Sequence, residues 1–329
     1  MNLAVIAAGA WGTALAITFS ARHQVTLWTR EKDVTQEMLA TRENRRFLPG
    51  FPLPESLRVA TDFDAAITGA ELLILATPLI GFRPTLRAIR ESGQVKPIIW
   101  VCKGMEAGTA MLPHQVVAEE LGEDALCGAL TGPSFAEEVA KGLPLAITLA
   151  SRNADFARNM ALELHSARFR IYANDDLPGA EVGGAVKNIM AIATGICDGL
   201  GFGYNARAAL MTRGLAEIAR LGVALGGQPN TFMGLAGMGD LILTCTGDLS
   251  RNRQVGLALA AGKKLPQILA DLGHVAEGVS TAREVARLAD KLGIEMPITQ
   301  AVDAILHHDV PAAEAVQMLL SRDPKSEMQ

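Results

Sequence analysis

The first 21 residues, MNLAVIAAGAWGTALAITFSA, carry no charged side chain, and the first Lys or Arg is Arg22. A chain that begins this way has three choices: a secretory signal, a membrane anchor, or an element buried on every side. A signal requires a basic segment ahead of its apolar stretch, and none is present. The run also changes character at Ala7–Gly12, from the β-prone Leu3-Ala4-Val5-Ile6 to a glycine-containing turn and then to Thr13-Ala14-Leu15-Ala16. It therefore reads as a buried strand, a turn and a buried helix. No other run reaches the roughly 18 apolar residues of a membrane span, so no membrane anchor is expected.

The same alternation continues. Short apolar runs at Asn2–Ala7, Gln24–Trp28, Leu57–Ala60, Glu71–Ala76, Ile98–Cys102, Leu126–Thr131 and Leu145–Ala150 are separated by helical patterns such as Thr13–Ala21, Val34–Arg42 and Pro113–Leu121. Continuous apolar strands alternating with helices predict a parallel sheet covered on both faces. The segment Asn44–Ser56, with Phe47-Leu48-Pro49-Gly50-Phe51-Pro52-Leu53-Pro54, reads as a long loop. After Ala173 only helical patterns follow: Gly179–Gly199, Ala206–Leu225, Arg253–Ala261, Ser280–Leu292, Ile298–His307 and Ala312–Leu320. The predicted fold class is α/β, an N-terminal Rossmann-like doubly wound sheet followed by an all-α C-terminal domain. The expected domains are residues 1–178 for dinucleotide binding and 179–329 for substrate. Two domains suit a chain of 329 residues.

Composition narrows the function. Thirty Lys and Arg against 35 Asp and Glu give a net charge of −5, which argues against a basic nucleic-acid surface. The four cysteines form no C-x-x-C pair, and no histidines have zincin spacing. No metal site and no disulfide scaffold are expected, and free thiols fit a reducing cytoplasm.

Ala7-Ala8-Gly9-Ala10-Trp11-Gly12 stands where a strand meets a helix and carries the second and third glycines of the dinucleotide fingerprint. Gly9 lets the backbone approach a pyrophosphate, Gly12 lets helix pack on strand, and the helix start offers oriented N–H groups. Alanine at the first position, Ala7, is tolerated if φ stays negative; otherwise it costs about 1 kcal/mol of strain. The second strand runs into Thr29-Arg30-Glu31. Arg30 suits the 2′-phosphate of NADP and an acidic residue the 2′-hydroxyl of NAD, so the pair leaves the preference open.

Ligands of such sheets lie beyond the carboxyl ends of the strands. Lys103, in Val101-Cys102-Lys103-Gly104, is a cation placed there, or else a strand-end lysine reaching into water. Gly132 and Ser134, in Thr131-Gly132-Pro133-Ser134-Phe135-Ala136, offer backbone and hydroxyl contacts. In the helical half, Lys187 sits in a helix that is apolar nearly all round. A buried lysine is costly unless paired and its pKa falls, so it is a candidate proton-transfer group unless it snorkels to the surface. Asp240 follows Gly237-Met238-Gly239. Arg251 has the planar donor fork that suits a phosphate. Ser250 and Asn252 flank it at a helix cap, and Glu277 favours another helix start.

Taken in order, these segments resemble the bacterial NAD(P)-dependent glycerol-3-phosphate dehydrogenases. The resemblance covers nearly the whole chain. Its motifs are Ala8-Gly9-Ala10-Trp11-Gly12-Thr13, Phe47-Leu48-Pro49-Gly50, Cys102-Lys103-Gly104, Gly132-Pro133-Ser134-Phe135-Ala136, Val186-Lys187-Asn188, Gly239-Asp240-Leu241, Ser250-Arg251-Asn252 and Ala276-Glu277-Gly278. It implies reversible reduction of dihydroxyacetone phosphate to sn-glycerol 3-phosphate with NAD or NADP, supplying the backbone of glycerophospholipids in the cytoplasm. It implies that Lys187 is the proton donor and acceptor. Lys103, Gly132, Ser134, Lys187, Asp240, Ser250, Arg251 and Asn252 would line the substrate. Gly9, Trp11, Gly12, Arg30, Lys103, Ala136, Arg251, Val275 and Glu277 would contact the cofactor. Two positions depart from the family pattern: Ala7 replaces the usual first glycine and Ala10 a frequent serine. A homodimer fits the expected assembly. The competing readings are another two-domain dehydrogenase, of the 3-hydroxyacid or 6-phosphogluconate type, and a non-catalytic nucleotide sensor.

Overall fold

The computed structural model of the protein describes residues 1–273 and 275–323. The first half runs β1 (Asn2–Ile6), α1 (Ala10–Phe19), β2 (Gln24–Trp28), α2 (Lys32–Thr41), β3 (Arg58–Ala60), α3 (Phe63–Thr68), β4 (Leu72–Leu75), α4 (Leu79–Glu91), β5 (Ile98–Trp100), α5 (Pro113–Leu121), β6 (Cys127–Thr131), α6 (Ala136–Ala140), β7 (Leu145–Ala150), α7 (Ala154–Leu164) and β8 (Phe169–Asn174). These strands form one sheet in the order β3-β2-β1-β4-β5-β6-β7-β8. The central strands β4 and β5 are buried throughout, as their unbroken apolar sequences require. Alternate residues serve opposite faces: Leu3 and Val5 pack toward Leu15, Phe19 and Phe156, while Ala4 and Ile6 pack toward Phe82, Leu86 and Val117.

Two features correct the sequence expectation. The sheet is not wholly parallel, because β7 pairs antiparallel with β6. Only the five-residue α6 separates them, and the chain folds back rather than crossing over. The last strand, β8, was not expected at all. It pairs parallel with β7, and its burial alternates because it is an edge strand with one wet face. The alternation of Phe169-Arg170-Ile171-Tyr172 hides it from a search for continuous apolar runs. The segment 44–56 is a loop as expected, pinned by one bridge between Glu43 and Pro52.

The second half is helical: α8 (Leu177–Gly199), α9 (Gly203–Ala224), α10 (Pro229–Phe232), a π-helical turn (Leu235–Gly239), α11 (Asp240–Thr246), α12 (Arg251–Ala260), α13 (Leu265–Leu272), α14 (Glu277–Leu292), α15 (Pro297–His307) and α16 (Ala312–Leu320). Helix α8 begins two residues before the expected Gly179, because Asp176 caps it by accepting from the Gly179 N–H at 2.9 Å. It is buried along almost its entire length and forms the axis of this half. Helix α12 crosses it at backbone contact: a Cβ on Gly195 would lie 2.2 Å from the Arg253 carbonyl oxygen, and one on Gly256 would lie 2.1 Å from that of Ile192. The π-turn and α11 escaped the sequence reading because Gly237 and Gly239 depress helix propensity there. No described helix is long and apolar enough to cross a membrane.

Candidate active site

The glycine-rich turn joins β1 to α1. Gly9 is the N-cap of α1 and offers no side chain to the first N–H groups, which stay available to a ligand. The space where a Cβ would stand on Gly9 is open, whereas a Cβ on Gly12 would fall 2.1 Å from the Ala7 carbonyl oxygen. The first position takes the strained alternative, since Ala7 has φ of +84°. Asn44, fully buried at the head of the long loop, holds the turn from outside. Its amide donates to the Ala8 carbonyl at 2.7 Å and to the Thr13 hydroxyl at 2.8 Å. Nothing in the sequence singled out this asparagine. Trp11 is half-buried against the sheet core, and Ala136 opens α6. Arg30 is exposed just past β2, while Glu31 is engaged by the Thr29 hydroxyl. An open glycine, an uncapped helix start and an exposed arginine past β2 together suit a dinucleotide.

The second part of the site lies where the two halves meet. Lys103 and Lys187 converge on one carboxylate, that of Asp240. Lys103 Nζ donates to Asp240 Oδ2 at 2.6 Å and to the Gly132 carbonyl at 3.2 Å. Lys187 Nζ donates to Asp240 Oδ1 and, at 2.7 Å, to the Thr244 hydroxyl. That hydroxyl in turn donates to the Asp240 carbonyl at 2.7 Å. Asp240 is 1% exposed and Lys187 6%, so this is a buried, charge-assisted network. Burial pulls Lys187 down to about 7, and Lys103 adds to the drop while Asp240 opposes it. The lysine does not snorkel.

Gly132 has φ of +133°, and a Cβ there would come within 3.1 Å of Ile147, so only glycine turns the chain here with its carbonyl toward Lys103. The Ser134 hydroxyl donates to the same carbonyl at 3.0 Å. One turn along α8 from Lys187, Gly184 leaves room for the Lys103 stem.

A second chain of contacts follows from the crossing of α8 and α12. Asn252 donates to the Asn188 side-chain oxygen at 3.0 Å and accepts from the Gly278 N–H at 3.0 Å. Ser250 caps α12 through the Arg253 N–H. Arg251, the first residue of α12, is exposed; its guanidinium faces the Glu277 carboxylate electrostatically, and no side-chain hydrogen bond holds it among the described residues. Glu277 Oε1 accepts from the Leu79 N–H at the start of α4, at 3.1 Å, and burial raises its pKa. Val275 is exposed ahead of α14, and no hydrogen bond links it or Arg30 to the lysine cluster. Thr244 and Asn188 were not among the expected site residues. The i, i+4 spacing of Asp240 and Thr244 on one helix is the signal that points to the first.

The model of the NAD-dependent glycerol-3-phosphate dehydrogenase N-terminus matches residues 2–157, and that of the C-terminus matches residues 176–317. The chain belongs to the NAD-dependent glycerol-3-phosphate dehydrogenase family. A glycerol-3-phosphate dehydrogenase (NAD(P)+) of Dechloromonas aromatica is 66% identical over the full length of both chains. That of Aromatoleum aromaticum is 60% identical over 99% of this chain and all of its own. A crystal structure of glycerol-3-phosphate dehydrogenase from Coxiella burnetii, 44% identical, superposes with a TM-score of 0.93 over 98% of this chain and 99% of that one. A D-mandelate dehydrogenase structure, at 14% identity and a TM-score of 0.62, shares the fold alone.

Proposed function

We infer that this glycerol-3-phosphate dehydrogenase family member catalyses the reversible NAD(P)H-dependent reduction of dihydroxyacetone phosphate to sn-glycerol 3-phosphate, which feeds glycerophospholipid synthesis. The full-length relative at 66% identity carries the activity. The observation that carries the chemistry is the buried lysine with a pKa near neutrality, held by Asp240 and Thr244 at the mouth of a dinucleotide fold.

Lys187 is the proton donor. In the reduction its ammonium gives a proton to the C2 oxygen as that oxygen gains charge; in the oxidation the neutral amine takes the proton back. The bound nicotinamide cofactor supplies and recovers the hydride. Asp240 and Thr244 fix the direction of the Lys187 amine and leave it one donor for substrate. Lys103, shared between Asp240 and Gly132, places a second cation beside the reacting oxygen. Arg251, whose guanidinium at the start of α12 is not held by a side-chain hydrogen bond, takes the substrate phosphate, beside Ser250 and Asn252. Gly132 and Ser134 bound the substrate on the sheet side. Gly9, Trp11, Gly12, Arg30, Ala136, Val275 and Glu277 hold the cofactor, and Arg30 favours the 2′-phosphate. Residues 1–178 thus supply most of the dinucleotide contacts and 179–329 the proton donor and the phosphate grip, with Lys103, Gly132 and Ser134 reaching the substrate from the first domain and Val275 and Glu277 reaching the cofactor from the second, in a cytoplasmic enzyme.

The test is Lys187→Ala, followed by the loss of NAD(P)H absorbance with dihydroxyacetone phosphate. Turnover falls by at least about 100-fold, while the cofactor dissociation constant stays near that of the parent. A variant that keeps near-normal turnover removes Lys187 from the role of proton donor.

A further inference from the structure

Glu181 is a buried carboxylate that the chemistry above does not use. It lies in the first turns of α8 and is 6% exposed. Its Oε1 accepts from the His114 N–H at 2.9 Å, and its Oε2 is bonded to His114 Nδ1. His114 is the second residue of α5, behind Pro113. The first N–H groups of a helix have no partner within it, and a carboxylate there also meets the positive end of the helix dipole. Glu181 therefore docks α8 onto the start of α5. The Trp100 indole, at the end of β5, stands beside the same carboxylate.

The segment between β5 and α5 is residues 101–112, and it carries Lys103. Glu181 touches one end of it, at His114, and neighbours the other, at Trp100. Along α8, Glu181, Gly184 and Asn188 follow the i, i+3, i+7 stripe of one helix face, with Lys187 on its flank. A Cβ on Gly184 would come within 3.4 Å of the Lys103 stem. The separation between this loop and α8 decides whether Lys103 and Lys187 can share Asp240.

We propose that Glu181 is a positioning residue for the reduction: acting through His114, it clamps the Lys103 loop to the Lys187 helix so that both ammonium groups meet Asp240. The proposal rests on the roles given above to the two lysines. Two consequences separate it from a purely structural contact. Loosening the clamp lowers kcat with little change in the KM for NAD(P)H, because the glycine-rich turn is untouched. It also moves the pH limb set by Lys187. The titratable groups facing Lys187 are Asp240, Lys103 and, on α11, Cys245. Lys103 lowers the Lys187 pKa, so withdrawing Lys103 shifts the limb to higher pH. Glu181 itself faces His114, and its charge also bears on Cys102.

The experiment compares Glu181→Ala and Glu181→Gln with Lys187→Ala, measuring kcat, both KM values, the pH profile of the reduction and the melting temperature. Glu181→Ala lowers kcat by about 10- to 100-fold, keeps the KM for NAD(P)H within about twofold and moves the alkaline limb upward. Glu181→Gln keeps an acceptor for the His114 N–H and recovers part of the loss. If Glu181→Ala does not fold, Glu181→Gln carries the test, with a smaller loss of kcat and the same direction of shift. A lower melting temperature with kcat and the limb unchanged overturns the proposal. A Lys187→Ala enzyme that still turns over overturns the reading of the lysines, whatever the Glu181 variants do.

Discussion

Replacing Ala7 by glycine should make this protein more stable, against the usual effect of glycine. Ala7 has φ of +84°, in the region that L-residues avoid. Its carbonyl is directed at Gly12, where a Cβ would sit 2.1 Å away, so the turn cannot relax by moving that group toward α1. A side chain in a left-handed conformation costs about 1–2 kcal/mol. Glycine removes that cost but gives the unfolded chain extra freedom worth about 0.4–1 kcal/mol. The net gain for Ala7→Gly, taken at the middle of those two ranges, is about 0.8 kcal/mol. For a cooperative unit of 150–250 residues this amounts to a rise of about 1–4 °C in Tm. Urea unfolding reads it as a higher midpoint with an unchanged slope. Gly9→Ala is the control, since Gly9 has φ of −66° and open space around its Cβ position; the lost chain freedom offsets the poorer N-cap, so the midpoint stays close to that of the parent. A lower midpoint for Ala7→Gly would refute the reasoning, because it would mean that the positive φ carries no strain.

Further outcomes follow from the lysine cluster and the start of α12. Burial draws the Lys187 pKa down to about 7, and the proton-donor role proposed for it requires the ammonium form in the reduction. The rate of dihydroxyacetone phosphate reduction therefore falls as pH rises through about 7, while the reverse oxidation, which needs the neutral amine, rises over the same interval. Profiles with the same slope in both directions contradict the assignment. Arg251→Ala raises the KM for dihydroxyacetone phosphate by about 10- to 100-fold, the loss of charged hydrogen bonds to a phosphate. An unchanged KM places the phosphate elsewhere.

The strands that frame the cofactor side were legible because strands covered on both faces are written as unbroken apolar runs, as in Leu72–Leu75 and Ile98–Trp100. Edge strand β8 carries Arg170 and Tyr172 on its wet face and so leaves no such run. The reversal at β7 depends on which strand it meets, and no local pattern records that. Lys187 was legible for a physical reason: one cation in an apolar helix must be paired or exposed, and the structure pairs it. What it pairs with was only partly legible. Thr244 reaches Lys187 across 57 positions of sequence, and Asn44 reaches the Thr13 hydroxyl across 31. Both are small polar residues whose role appears only when distant elements meet. Arg30 was legible as a charge past the second strand, but the capture of Glu31 by Thr29 was not.

The reversed pair β7 and β8 determines how deep Lys187 stands. Because these strands run against β6, the chain leaves β8 on the side of the sheet away from the crevice, and Leu177 and Ala180 pack there with Ala150 and Ile98. The helix must then climb back along the length of the neighbouring strands. Ten residues separate Leu177 from Lys187, a rise of about 15 Å. A five-residue strand such as β6 spans about 17 Å. The two lengths nearly match, so the amine arrives level with the strand tips, as the contact of Gly184 with Thr131 at the end of β6 records. Inserting or deleting one residue between Leu177 and Gly184 would rotate Lys187 by about 100° away from Asp240; the run of turns before it acts as a ruler.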